Sequence, residues 1–411
     1  MKTYDLVIVG GGIAGSATAI VMGRAGKNVL VLEQMPTFED RVRGEWIAPW
    51  GVQEVKRLGL YDLLMKSGGH HLARHVTYDE SRSAAESEAR TLPLNMFVPD
   101  VPGPLCLGHP AHCQALYDEA SRTPGVTAIR DLRVLKIVPG AAPTVTFEKG
   151  GVSTEVGAKL IVGADGRTSP VREAAGIRLH QDKPHHWFAG LLVDGANGWA
   201  DDLQAIGTEG DLGFLAFPQG KGRVRLYGGY ALEQRKRFSG VDGARNFLDA
   251  FRMHSAPDNK YLADATPAGP LMSFFNNDSW TDEPFAQGVV LVGDSAGWND
   301  PIIGLGLSIT YRDVRIVTDI LKAGSDWSPS AFKPYADERS ERMRRLRFVA
   351  GIQARLDMEF DAAARERRRK YQERAANDMS LAVHTLAVMA GPEVPPAEAF
   401  TDAYRSRVLE N

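Results

Sequence analysis

Three glycines spaced as Gly10-x-Gly12-x-x-Gly15 follow the apolar run Leu6–Val9 and precede an alanine-rich stretch that reaches about Arg24. In that setting the first glycine makes a tight turn, the second lets the backbone approach a pyrophosphate, and the third lets helix and strand pack closely. The helix start at Gly12, Ile13, Ala14 and Gly15 offers N–H groups and partial positive charge to an anion. Glu33 closes a second apolar run, Val29–Leu32, about twenty residues after the third glycine. A carboxylate there accepts hydrogen bonds from ribose hydroxyls, and Gln34 adjoins it. The fingerprint predicts a dinucleotide site. Alone it leaves NAD and FAD open.

Two more glycine–acid motifs lie downstream, each behind a short apolar run that reads as a buried strand. Ala158–Gly163 leads into Gly163-Ala-Asp165-Gly166, and Val289–Val292 into Gly293-Asp294-Ser-Ala296-Gly-Trp298-Asn-Asp300-Pro301-Ile-Ile-Gly304-Leu305-Gly306-Leu-Ser308. Asp165 and Asp294 are candidates to bind cofactor hydroxyls. Pro301 fixes the backbone beside the glycine turn. Gly304, Leu305 and Gly306 open a helix whose N-terminus can face an electron-rich ring carbonyl. A plain dehydrogenase would run contiguous strand–helix units. Here a meander (133–138, 144–148, 153–156) and a β-rich block (179–283) intervene, which favours FAD.

In this order the motifs resemble those of the FAD-dependent aromatic hydroxylases, single-component flavoprotein monooxygenases similar to p-hydroxybenzoate hydroxylase. The resemblance covers about residues 1–350. It implies an α/β fold: a Rossmann-like FAD-binding domain of three-layer ββα architecture, an inserted β-rich substrate domain and C-terminal helices. The expected boundaries are 1–72, 98–178 and 283–345 for FAD, 73–97 and 179–282 for substrate, and 346–411 for the helical end. It implies that NAD(P)H reduces FAD and that O2 then gives a C4a-hydroperoxide, which oxygenates an aromatic or other electron-rich small molecule. Arg41-Val-Arg43-Gly44-Glu45-Trp46 resembles the family's arginine-containing stretch, so Arg43 and Gly44 should approach FAD, unless Arg43 is a surface residue. His109 stands near a position where the family often supplies a flavin contact, usually an arginine. Gly297 and Ser308 depart from the family's usual His and Asn. Gly297 with Asp300-Pro301 also resembles the geranylgeranyl reductase branch, so a flavin-dependent reductase of isoprenoid double bonds is the alternative. A non-catalytic escort-type protein is a third reading.

In the β-rich block, alternation predicts that Phe214 and Ala216 share one strand face and Leu215 and Phe217 the other; Arg223, Arg225 and Tyr227 also share a face. Phe214, Arg225, Tyr227, Trp298 and Pro301 are the substrate candidates. Arg225 and Tyr227 either bind a phenolate or carboxylate or form the solvent side of the sheet. Trp298 sits either near the isoalloxazine or in the core. The histidine pairs 70–71 and 185–186 point to opposite faces within each pair, so neither alone makes a metal site, and no metal is expected.

The whole chain fits this reading. It has 411 residues, 44% hydrophobic and 24% charged, with 42 glycines, enough for more than one core. A net charge of −3 gives no basic footprint for nucleic acid. Apolar runs are too short for a membrane span. Two cysteines, and no signal-peptide pattern, fit a reducing cytoplasm. The charged run 365–370 reads as a solvated helix face. The stretch 379–390 reads as a helix with an apolar face, either packed on its own chain or contributing to a homodimer.

Overall fold

The computed structural model describes residues 1–42 and 44–410. The glycine fingerprint joins the strand Lys2–Val9 to the helix Ile13–Arg24, and the strand Val29–Glu33 returns beside the first. The main sheet runs, in order, Phe285–Ala286, Val289–Leu291, Val152–Gly163, Lys2–Val9, Val29–Glu33 and Val126–Arg130. All neighbours are parallel except the first pair.

Both faces of this sheet are buried, which is why its strands read as continuous apolar runs. Leu6, Ile8, Val29 and Val31 pack with the helix Ile13–Arg24, the helix His109–Arg122 and the helix Gly306–Ala323. Val7, Val9, Leu30 and Leu32 face the other way, against Val145 and Phe147 of the antiparallel meander 133–163. The result is a meander–sheet–helix stack. It is the three-layer α/β arrangement that the family resemblance implies.

A second, mostly antiparallel sheet carries His186–Asp194 between Met272–Asn276 and Arg223–Tyr230, followed by Leu212–Gly220, Leu203–Glu209 and Arg74–Asp79. Its hairpin turn places Lys221 and Gly222 at φ 58° and 70°, the left-handed pair that a tight two-residue hairpin needs. One face of this sheet meets the helices of its own block, through Val76, Ala189, Leu191, Phe214, Leu226 and Phe247. The other looks toward the FAD-fold sheet, as Phe188 and Leu215, members of the larger core, show. The strand Leu203–Glu209 was not foreseen, because its run Leu-Gln-Ala-Ile-Gly-Thr-Glu alternates poorly. The stretch 379–390 forms a 3-10 stretch and a single α-turn instead of a regular helix.

The helix Lys333–Asp357 crosses behind the third motif. The run 365–370 corrects the solvated-face expectation at one position. Arg368 is buried and donates to Asp79 Oδ2 at 2.8 Å and to the Leu356 carbonyl at 2.9 Å, tying the C-terminal helices to the second sheet. No helix among the described residues is long and apolar enough to cross a membrane.

Candidate cofactor and substrate site

At the first motif each glycine has a distinct geometric reason. Gly10 lies at φ +100°, and a Cβ there would sit 2.3 Å from the Ala164 carbonyl oxygen. A Cβ on Gly15 would sit 1.8 Å from the Gly10 oxygen, so helix and turn touch directly. Gly12 is different: among the described residues, its chain neighbours aside, nothing comes within 4 Å of its Cβ position. Among the described residues no N-cap side chain closes the helix it begins; the Ile13 N–H lies against the Cys113 sulfur, and the N–H of half-buried Ala14 is left toward an anion.

Glu33 is buried at the end of its strand, where Oε2 accepts the Gly11 N–H and Oε1 accepts the Met35 N–H, both at 2.7 Å. These bonds hold the carboxylate beside the glycine turn, while Gln34 is exposed. Arg130 pairs with Glu33 across the sheet and lies 4.0 Å over the Tyr117 ring and 5.2 Å from that of Phe38. That cation-topped aromatic pair was invisible in the sequence, since only strand register reveals it. Arg43 lies outside the described residues. Gly44 is at φ +75°, and its Cβ position is 3.0 Å from His109 Nδ1, so His109 lies against this stretch at the start of the helix His109–Arg122.

The second motif is knit locally. Asp165 accepts Ser169 Oγ at 2.6 Å and the Val171 N–H at 2.9 Å, and burial pushes its carboxyl up against those bonds. Its oxygens therefore shape the turn that leaves Gly166, at φ +77°, facing open space. Asp294 of the third motif is half exposed and receives Arg167 Nε at 3.3 Å. Arg167 lies 5.0 Å over Trp298, whose backbone N–H donates to Ser279 Oγ at 3.0 Å.

Pro301–Ile303 forms a short 3-10 turn, and Gly304 at φ +67° redirects the chain into the helix Gly306–Ala323. The helix therefore starts later than Gly304. Among the described residues no side chain caps it; Leu305 is buried, and Gly306 is exposed with none of them near its Cβ position. Behind the loop, buried Arg339 donates to the carbonyls of Ala296 (2.8 Å) and Gly297 (2.9 Å) and to Asp313, which also accepts the Gly293 N–H.

Both motif departures have causes. Gly297 sits at φ +107°, with its Cβ position 2.6 Å from Trp280 Cα, so no side chain fits there. Ser308 Oγ accepts the Ala48 N–H at 3.1 Å and lies under Gly51, where a larger residue would separate two helices. Open glycine cradles at Gly12, Gly166 and Gly306, together with two uncapped helix starts, fit FAD.

Opposite Pro301–Gly306 stands an aromatic wall. Trp46 covers Gly304, its ring 3.2 Å from the Cβ position. Ring centroids then step from Trp46 to Phe217 (6.1 Å), Tyr227 (6.3 Å), Phe188 (6.3 Å) and His186 (5.1 Å). Alternation places Phe217 and Tyr227 on this inner face, and burial pushes the Tyr227 hydroxyl up. Phe214 must be corrected: it faces the opposite way, packed with Phe247 and Phe251 in the second block's own core. The solvent-side reading of Arg225 also falls, since it is 1% exposed. Its guanidinium is held by Glu45 (3.0 Å) and Asp40 (2.7 Å), so its charge already has two carboxylate partners. It fastens the 40–46 segment, where buried Val42 presses on Gly190.

Sequence reasoning also missed the end of the wall. Buried His186 Nε2 lies 3.6 Å from Asp300 Oδ1. Burial pushes the imidazole down to about 3 and the Asp300 carboxyl up to about 7, the latter against the Ile302 N–H and Arg167 and reinforced by Asp278. Among the described residues no group of three or more His, Cys, Asp or Glu is arranged to hold a metal ion.

The profile of the FAD binding domain family matches residues 3–347. The chain belongs to this family. It is 23% identical over 325 residues to squalene monooxygenase of Mus musculus, covering 77% of this chain and 54% of that one. It thus spans about half the length of that relative. It is 25% identical to menaquinone reductase of Mycobacterium tuberculosis, over 77% and 76% of the two chains. Among solved structures, p-nitrophenol 4-monooxygenase of Pseudomonas putida superposes with a TM-score of 0.79 at 20% identity, covering 94% and 97%. That likeness shows a shared fold.

Proposed function

We propose that this protein is an FAD-dependent monooxygenase that uses NAD(P)H and O2 to oxygenate an aromatic or other electron-rich small molecule. The observation that carries the reading is the aromatic wall standing opposite the open helix start at Pro301–Gly306. When bound, FAD supplies the redox chemistry, accepting hydride from NAD(P)H and activating O2. The chain's own residues do the rest. The helix start at Gly12–Gly15 binds the pyrophosphate and Glu33 faces the ribose. Arg43, Gly44 and His109 border the flavin, with Asp165, Gly166 and Asp294 toward its ribityl side. The N–H groups around Leu305 and Gly306 face a ring carbonyl. Trp46, Phe188, Phe217 and Tyr227 stack the substrate and exclude water, which protects a reactive oxygen donor from wasteful decay.

In this reading 1–72, 98–178 and 283–345 hold FAD, 73–97 and 179–282 hold substrate, and the protein works in the cytoplasm. A homodimer belongs to the same proposal, tested by sedimentation. The deciding experiment follows an electron-rich aromatic with the FAD-loaded protein, NAD(P)H and isotopically labelled O2. Label in the product, matched to NAD(P)H consumed, supports the reading. NAD(P)H consumption with release of H2O2 alone, across a broad aromatic panel, counts against it. Asp300-Pro301 and the likeness to a menaquinone reductase favour a second reading, reduction of an isoprenoid or quinone double bond. Product formation without O2 would select it.

A further inference from the structure

We propose that Gln204 and His75 are positioning residues for Trp46, locking its indole over the Pro301–Gly306 turn so that the aromatic wall stays closed. The inference rests on the FAD reading above and names what fixes the wall at the end nearest Gly304. Trp46 belongs to the short strand Trp46–Ile47, and Gln204 to the strand Leu203–Glu209 of the second sheet. Gln204 is paired in register with His75 of the strand Arg74–Asp79, so the two side chains leave the sheet on one face. Ile206 shares that face and packs on the larger core, which marks it as the inner one.

An indole N–H only donates, and this fixes the direction of every bond behind it. Trp46 Nε1 donates to Gln204 Oε1 at 2.9 Å, so the Gln204 amide nitrogen is left to donate to His75 Nδ1, at 3.1 Å. Nδ1 is therefore unprotonated. The imidazole proton sits on Nε2, which donates to Thr77 Oγ1 at 3.0 Å. Burial pushes the imidazole down to about 4, which keeps it neutral and keeps Nδ1 an acceptor. The chain of bonds thus runs from the wall, through buried Gln204, to exposed Thr77.

Other indoles are anchored differently. Trp50, Trp187, Trp199 and Trp327 donate to the backbone carbonyls of Val388, Leu232, Leu203 and Gly324 at 3.1–3.2 Å. A main-chain acceptor comes with the fold. Trp46 is held instead by a side chain from the other block, itself oriented by a second side chain. An acceptor fixed from behind confines its donor to one geometry, which is how supporting residues keep a functional group in place. The indole so confined covers Gly304, 3.2 Å from its Cβ position, and meets Phe217 at 6.1 Å between centroids. Released from Gln204, it keeps only ring packing, and water gains a path to the turn that borders the flavin in the proposed reading.

The test labels the protein with fluorotryptophan and reads its fluorine spectrum, the Trp46 signal being the one that disappears in Trp46→Phe. Seven tryptophans give seven signals. Gln204→Leu and His75→Phe should each broaden or split the Trp46 signal and leave the others in place. Gln204→Glu keeps an acceptor for the indole, with His75 donating from Nδ1, and should restore the single sharp signal. On the same samples loaded with FAD, quenching of the flavin emission by iodide should rise several-fold in Gln204→Leu and His75→Phe and return to the wild-type value in Gln204→Glu. His75→Phe keeps the proposal falsifiable if Gln204→Leu does not fold. A Trp46 signal unmoved in either variant overturns it. So does movement of all the signals in both, which would make these residues part of general packing. An unchanged iodide effect where the Trp46 signal has moved overturns it as well. Failure of the wild-type chain to bind FAD would instead overturn the reading beneath, while the fluorine spectra still decide whether Gln204 places the indole.

Discussion

A methyl group separates two roles for glycine in the first motif. At Gly15 it would lie 1.8 Å from a backbone oxygen, so Gly15→Ala must push helix and turn apart. We expect a loss of about 1–3 kcal/mol in stability, read by denaturant unfolding. At Gly12 the same methyl meets no atom of the described residues beyond its chain neighbours. Gly12→Ala should therefore cost the apoprotein about 1 kcal/mol or less while weakening FAD binding by at least about tenfold, measured by flavin titration. Asp300 gives a pH prediction at this scale. Its carboxyl rises from 3.8 to about 7 on folding, so the native state binds the proton more tightly. The stability this contributes is full below pH 4 and is lost as pH climbs to 7. Thermal melts of Asp300→Asn should gain on the wild type across that window, by up to about 4 kcal/mol. His186 acts with the opposite sign, its contribution being lost as pH falls from 6.5 toward 3.

At the scale of elements, the third motif is held from behind by a helix rather than by its own sequence. Arg339 spans Asp313 and the carbonyls of Ala296 and Gly297 from the helix Lys333–Asp357. Removing it leaves buried carbonyls and half of a buried ion network unmet. Arg339→Ala should cost about 3–5 kcal/mol and shed FAD on gel filtration, with Arg339→Lys recovering little because one ammonium cannot serve the same fork. The motifs themselves were legible, because strand, glycine turn and helix start are written in consecutive residues. Arg339 was not, because an arginine in a charge-rich helix looks solvated until its partners are known. His186 and Asp300 come from separate stretches, and their meeting depends on sheet register. Phe214 was misassigned for a related reason. Alternation separates two faces of a strand but does not say which one turns toward the cofactor fold.

At the scale of the molecule, the C-terminal helices are fastened to the second sheet through Arg368 and Asp79, which lies at the end of the strand Arg74–Asp79. Arg368→Ala leaves the buried Asp79 carboxylate without its cation, held only by Ser81 through Oδ1. It should open the joint near residues 358–362 to limited proteolysis while the main-sheet stretches before it stay protected. The strand order of the main sheet has a consequence in time. Val152–Gly163 takes the meander strand Thr144–Lys149 along one edge only as far as Gly157, and Ile161–Gly163 on that edge wait, unpaired, for Val289–Leu291 while the ribosome makes the whole intervening block. The helix start at Gly306, which in the proposed reading completes the flavin cradle, emerges later still. Cofactor capture must then be among the last events of biogenesis, and a nascent chain stalled before Val289 exposes an adhesive strand edge that chaperones would have to shield.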